Sequence, residues 1–179
     1  MTTILCLSGS LRKVSSASAL LRTLADEMKD KATFRFAEID ALPHYNADLG
    51  MPAEVGSFIE AIEAADGVLI VTPEYNYSIP GVLKNAIDWA SRPAYKSVFR
   101  AKPVFIISVS GGALGGVRAQ AHLKYVMNGM LADVFTCQEV VVPHAPKKVE
   151  DGRFTDDATL DFAVSAITDF IASFETVHR

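Results

Sequence analysis

Three short segments concentrate the residue types that hold small molecules. The first, Gly9-Ser10-Leu11-Arg12-Lys13-Val14-Ser15-Ser16-Ala17-Ser18, is dense in hydroxyls and runs into a helical pattern, whose free N–H groups favour an anion. Hydroxyls plus one arginine suit a phosphate monoester. The segment lacks the Gly-x-Gly-x-x-Gly of a dinucleotide fold and the Gly-Lys-Ser/Thr of a P-loop. A serine-rich turn capping a helix, with Arg12 solvated, is the alternative for this loop alone. The second, Thr72-Pro73-Glu74-Tyr75-Asn76-Tyr77-Ser78-Ile79-Pro80-Gly81, has prolines that fix an extended course and aromatics suited to walling a flat ligand, whose ring edge the backbone would read. The alternative is a proline-rich turn. The third, Ser108-Val109-Ser110-Gly111-Gly112-Ala113-Leu114-Gly115-Gly116, allows close backbone approach to a ligand, because glycine has no side chain. Its glycines can instead mark flexibility.

No activated serine or cysteine and no paired carboxylate stands out in these loops, so no catalytic side chain is assigned and a cofactor must carry the chemistry. Glu74, a lone carboxylate, reads as an orienting hydrogen-bond partner rather than a general acid. His44, His122, His144 and His178 have no partner at metal-ligand spacing, so no metal site is expected. Cys6 and Cys137 sit in apolar runs without a Cys-x-x-Cys and read as buried reduced thiols.

The elements that must position these loops follow from periodicity. Thr3–Ser8, Thr33–Ile39, Val68–Val71, Val104–Val109 and Phe135–Val142 read as strands. Between and after them, helices are expected over Ala17–Lys29, around Val55, Phe58, Ile59 and Ile62, and over Gly81–Ser91, Gly116–Leu131 and Ala158–Phe174. Ser15 and Ser16 are candidate caps of the first. Continuous apolar strands alternating with helices imply an α/β fold: a doubly wound five-stranded parallel sheet with helices on both faces. The flavodoxin-like order 2-1-3-4-5 sets strands one, three and four side by side, and ligands bind beyond the carboxyl ends of such strands. The three loops then converge. The Asp40–Pro52 and Pro143–Asp157 loops would lie toward the edges, and the latter reads as a surface loop rather than a domain boundary. One domain over residues 1–179 is expected.

Of the 179 residues, 50% are hydrophobic and 21% charged, as in an ordinary soluble globular protein. With 17 Lys and Arg against 21 Asp and Glu, scattered along the chain, nucleic acid is not an expected partner. The longest uncharged stretch, Pro103–Val117, is fifteen residues with four glycines, too short and broken for a membrane span. No secretory signal pattern opens the chain, so a cytoplasmic location is expected.

Gly9–Arg12 (Gly-Ser-Leu-Arg), Thr72–Asn76 (Thr-Pro-Glu-Tyr-Asn) and Leu83–Trp89 (Leu-Lys-Asn-Ala-Ile-Asp-Trp) resemble, in order and spacing, the motifs of the NAD(P)H-dependent FMN reductase family of quinone, chromate and azo reductases. That family comprises flavodoxin-like oligomers that pass electrons from NADH or NADPH to flavins, quinones, azo compounds or oxidised metal species. The resemblance implies Ser10, Arg12 and Ser15 at the FMN phosphate and Pro73, Glu74, Tyr75 and Asn76 along the isoalloxazine. Ser108, Val109, Ser110 and Gly111 would complete the pocket. Where the family often has Asn, two residues after the serine aligned with Ser15, this chain has Ala17, which leaves Ser16 or Ser18 to supply a hydroxyl.

The reading is an FMN-dependent oxidoreductase carrying electrons from NADH or NADPH to a flavin, quinone or similar small-molecule acceptor by a ping-pong, two-electron mechanism. The alternatives are a non-catalytic flavodoxin-type electron carrier and a flavin-binding regulatory module. Lys84 and Asp88 are an i, i+4 pair, and Trp89 is expected in the core. Arg118 and His122 share a helix face that would suit a subunit interface. Tyr75, Tyr77 and Ile79 would form an exposed apolar patch, so a homodimer or homotetramer is expected.

Overall fold

The continuous apolar runs become the inner strands of a parallel sheet. In the computed structural model, residues 1–177 are described, with side chains through residue 174. The strands are β1 Thr3–Ser8, β2 Thr33–Phe36, β3 Gly67–Pro73, β4 Pro103–Val109, β5 Asp133–Val134 and β6 Val140–Val142. They pair in the order β2-β1-β3-β4-β5, with β6 also on β4. The helices among the described residues are α1 Ser16–Glu27, α2 Ala53–Ala64, α3 Gly81–Ala90, α4 Val117–Gly129 and α5 Asp157–Val177. This is the expected α/β architecture and strand order.

Successive strand residues point to opposite faces, and both faces are covered. On one, Cys6, Leu69, Val71, Phe105 and Ile107 pack under Leu20, Leu21 and Leu24 of α1 and Ile167 and Phe170 of α5. On the other, Leu5, Leu7, Val68, Ile70 and Val104 meet Val55 and Ile62 of α2, Leu83 and Ile87 of α3 and Leu123 and Met127 of α4. Burial on both sides explains why the central strands read as unbroken apolar runs.

Three strands depart from expectation, the third running over Gly67–Pro73 rather than Val68–Val71. The second strand stops at Phe36 instead of Ile39. The fifth strand, expected over Phe135–Val142, is two short pieces: β5 pairs with Pro103 and Val104, and β6 pairs with Ile107 to Val109. Between them Thr136, Gln138 and Glu139 are exposed, and these polar residues would lose water in a continuous strand. Phe135 stays against the core, its ring 5.9 Å from Phe105 and 5.5 Å from Phe170. The gap is spanned by fully buried Gln120 of α4, whose Nε2 donates to the carbonyls of Ile106 (3.2 Å) and Val140 (3.1 Å). A side chain thus links β4 and β6 where their pairing begins.

The Pro143–Asp157 segment is also more ordered than a surface loop. It holds a 3-10 turn at Ala145–Lys148 and a hairpin of β7 Val149–Glu150 and β8 Arg153–Phe154. Asp151 and Gly152 form its tip with φ of 47° and 79°. Phe154 is buried, and its N–H donates to Thr23 Oγ1 at 3.0 Å, which ties the hairpin to α1.

Candidate functional site

At the carboxyl end of β1 the chain turns tightly against β3. A Cβ on Gly9 would lie 2.6 Å from Thr72 Oγ1, so only glycine fits there, and the Gly9 N–H donates to the Val71 carbonyl at 2.8 Å. Ser15 is the α1 cap: its Oγ accepts from the Ser18 N–H (3.4 Å) and its carbonyl from the Ala19 N–H (2.8 Å). The N–H groups of Ser16 and Ala17, which open the helix, remain for a ligand. Arg12 is exposed and has no ion-pair partner among the described residues. A helix N-terminus and a free guanidinium therefore face the same small space.

The second loop is a rigid bracket. Tyr75 and Ser78 exchange backbone hydrogen bonds at 2.9 and 3.0 Å across Asn76 and Tyr77, whose φ values of 49° and 66° make a type I′ turn. Positive φ is uncommon for tyrosine, and α4 braces it. The Arg118 guanidinium lies 4.6 Å from the Tyr77 ring centroid, and His122 Nδ1 is 3.0 Å from Ser78 Oγ. Glu74 closes the bracket. Its carboxylate accepts from the N–H groups of Arg118 (3.1 Å) and Ala119 (3.4 Å) and from the Arg118 side chain (3.4 Å). The α4 N-cap is Gly116, which has no side chain to offer, so Glu74 caps α4 from a distant loop and complements its dipole. The Arg118 and His122 face thus holds a loop of its own chain.

In the third loop the glycines divide by role. Gly115 and Gly116 have φ of 62° and 83°, and a Cβ on Gly115 would meet the Val142 nitrogen at 2.9 Å. They serve internal packing. At Gly111 and Gly112 a Cβ would meet nothing closer than 3.9 and 3.6 Å, so that backbone borders open space.

The three loops enclose a cavity of about 110 Å³. The first contributes Ser10, Arg12, Ser15, Ser16 and Ala17, the second Pro73, Glu74 and Tyr75, and the third Val109, Ser110 and Gly111. Ala145 and Pro146 complete the wall. Sequence reasoning missed these two by assigning their segment to the sheet edge; the Ala145 N–H donating to the Ser110 carbonyl at 2.8 Å brings them in. Ser18, Asn76 and Ser108 do not line the cavity. Ser18 Oγ bonds Ser8 Oγ at 2.9 Å, Asn76 sits in the turn, and Ser108 is fully buried beneath the loop.

Outside the cavity, the Leu83–Trp89 segment clamps a neighbouring loop. Asn85 Nδ2 and Trp89 Nε1 both donate to the Pro43 carbonyl (2.9 and 2.8 Å), and Asn85 Oδ1 accepts from the Tyr45 N–H at 2.7 Å. Trp89 is buried as expected, and Lys84 pairs with Asp88 at 2.7 Å. Burial pushes the Cys6 thiol up to about 12. Cys137 is only half-buried, contrary to expectation, though partial burial still raises its pKa. His44, His122 and His144 are exposed, while His178 lies outside the described residues. No group of three His, Cys, Asp or Glu among the described residues could hold a metal, and no helix there is long and apolar enough to cross a membrane. A wider space of about 980 Å³ opens at the opposite, amino end of the strands. Its lysines are already engaged: Lys102 Nζ on the Ala65 (2.5 Å) and Glu63 (3.2 Å) carbonyls, Lys31 Nζ on Thr168 Oγ1 (3.0 Å).

Residues 2–147 match the family model described as NADPH-dependent FMN reductase. The chain is 42% identical over 158 residues to an NAD(P)H-dependent FMN reductase of Pseudomonas aeruginosa, covering 86% of this chain and 85% of the relative. It is 40% identical over 179 residues to a quinone reductase of Escherichia coli K12, covering 93% and 92%. Among solved structures, the flavoenzyme NAD(P)H:(acceptor) oxidoreductase FerB of Paracoccus denitrificans superposes with a TM-score of 0.88 at 35% identity, covering 98% of each chain.

Proposed function

Because the chain belongs to the NADPH-dependent FMN reductase family, we propose that it binds FMN at the three-loop cavity and transfers electrons from NADH or NADPH to flavin or quinone acceptors. The observation that carries this reading is the unpaired Arg12 beside the open α1 N-terminus, in one cavity with Tyr75 and Gly111. That donor set fits a phosphate monoester. A space of about 110 Å³ takes the phosphate end and not a tricyclic ring, so the ring belongs at the mouth, where Tyr75 is 44% exposed. The acceptor classes are those named for the Pseudomonas and Escherichia relatives.

Bound FMN supplies the two-electron transfer between nicotinamide and acceptor. The chain binds and orients. Ser10, Arg12 and Ser15 hold the phosphate, with the N–H groups of Ser16 and Ala17 completing its shell. Pro73, Glu74 and Tyr75 present a fixed backbone edge to the ring, and Asn76 keeps the turn that fixes them. Val109, Ser110 and Gly111 form the facing wall. Ser18 and Ser108 support these loops from behind. Glu74, engaged at the α4 N-terminus, moves no proton. Residues 1–179 would act as one such domain, and a homodimer or homotetramer would cover the exposed Tyr75 and Tyr77, whereas Ile79, expected beside them, is partly buried against the core.

Denaturing the purified protein and identifying the released chromophore tests the reading. FMN is expected, together with steady-state reduction of a quinone by NADPH. No flavin, even after reconstitution with FMN, would remove the proposal; bound FMN without NADH or NADPH turnover would favour the electron carrier.

A further inference from the structure

Beside the flavin cavity lies a second one of about 440 Å³, and Ser10 and Arg12 line both. The two spaces therefore adjoin, with the residues proposed to hold the phosphate on the wall of each. The second cavity is bounded by Arg22 of α1, by Phe36 at the end of β2, and by Glu38 and Asp40 just beyond it. Arg22 comes seven residues after Ser15 and four after Ser18, so it projects from the helix face that carries the cap. Phe36 leaves half of its surface open, at 50% exposure, at the end of the edge strand β2. Arg12, Arg22, Glu38 and Asp40 form no ion pair among the described residues.

These groups match the half of a flavin dinucleotide that lies beyond its first phosphate. Arg22 with Arg12 answers the second phosphate. Carboxylates beyond the end of the second strand accept hydrogen bonds from ribose hydroxyls, as an acidic residue does in dinucleotide folds. An exposed aromatic face stacks on a purine, and the volume falls in the range of small-ligand sites, about 300–1,000 Å³. We propose that the flavin site continues past the phosphate cradle into this cavity, which takes the ADP half of FAD, so that the protein accepts FAD as well as FMN. This rests on the FMN reading above.

The test is calorimetric titration of flavin-free full-length protein with FMN, FAD and riboflavin. FAD should bind within roughly tenfold of FMN. Phe36→Ala and Arg22→Ala should each weaken FAD roughly tenfold, about 1.4 kcal/mol, while FMN moves less than about twofold and the melting temperature confirms a folded variant. FMN binding with FAD weaker by more than roughly tenfold overturns the extension and leaves the FMN reading standing. FAD binding that neither variant alters overturns it too, since the ADP half then lies elsewhere. If Phe36→Ala spares FAD and raises the KM for NADPH, the cavity belongs to the nicotinamide donor and the proposal falls. Failure of FMN itself to bind removes the flavin reading and this one together.

Discussion

Arg12 and Glu74 are both charged residues on the cavity wall, and their surroundings give them opposite roles. Arg12 has no ion-pair partner among the described residues, so its charge is available to a ligand. Arg12→Ala should weaken FMN by roughly ten- to a hundredfold, the range of a charge-assisted hydrogen bond, and should leave riboflavin, which has no phosphate, nearly unchanged. Titration of the variant with both flavins checks this; an equal loss for each would make the effect structural. Glu74 is already satisfied by two backbone N–H groups and a guanidinium. Glu74→Gln, which keeps an acceptor for those N–H groups, should retain kcat within about threefold, whereas removing a general acid costs on the order of a hundredfold or more. A collapse of kcat in the glutamine variant, with KM and melting temperature unchanged, would return Glu74 to proton transfer.

Among the elements, the interrupted fifth strand departs furthest from a regular sheet, and Gln120 compensates for it. Where β6 joins β4 next to the 135–139 segment, the Ile106 and Val140 carbonyls each accept from the same side-chain amide in addition to the strand pairing. Gln120→Leu keeps the volume and removes the donor, so each of two buried acceptors loses one hydrogen bond. A loss of about 1–3 kcal/mol in unfolding free energy is expected, read by denaturant titration with an unchanged slope. A neutral result would mean that the gap closes without the amide. β6 is followed directly by the 3-10 turn that carries Ala145 and Pro146 to the cavity.

For the whole molecule, one flavin mouth serves both donor and acceptor in the proposed reading. NADPH and quinone should therefore alternate there, giving parallel lines in double-reciprocal plots and competitive inhibition by each at high concentration of the other. Intersecting lines would require both bound together and would place one of them elsewhere, the adjoining cavity beside Phe36 being the first candidate.

The sequence alone determined a doubly wound parallel sheet, because continuous apolar runs and helical spacing are local signals and right-handed crossovers leave few arrangements; the flavodoxin-like order 2-1-3-4-5, taken from fold analogy, then set the three loops together. It also showed which loop carries the arginine and which the aromatics. Only the tertiary structure decided what each polar side chain is already bonded to. Glu74 meets α4 across forty-four residues, Asn85 and Trp89 reach back to Pro43, and Ala145 arrives through a bond to Ser110. None of these pairings leaves a periodic trace, since each depends on where two distant backbones come to rest. Whether a charged residue is free for a ligand or spent on the fold is a property of its neighbours in space, and that is what separates Arg12 from Glu74.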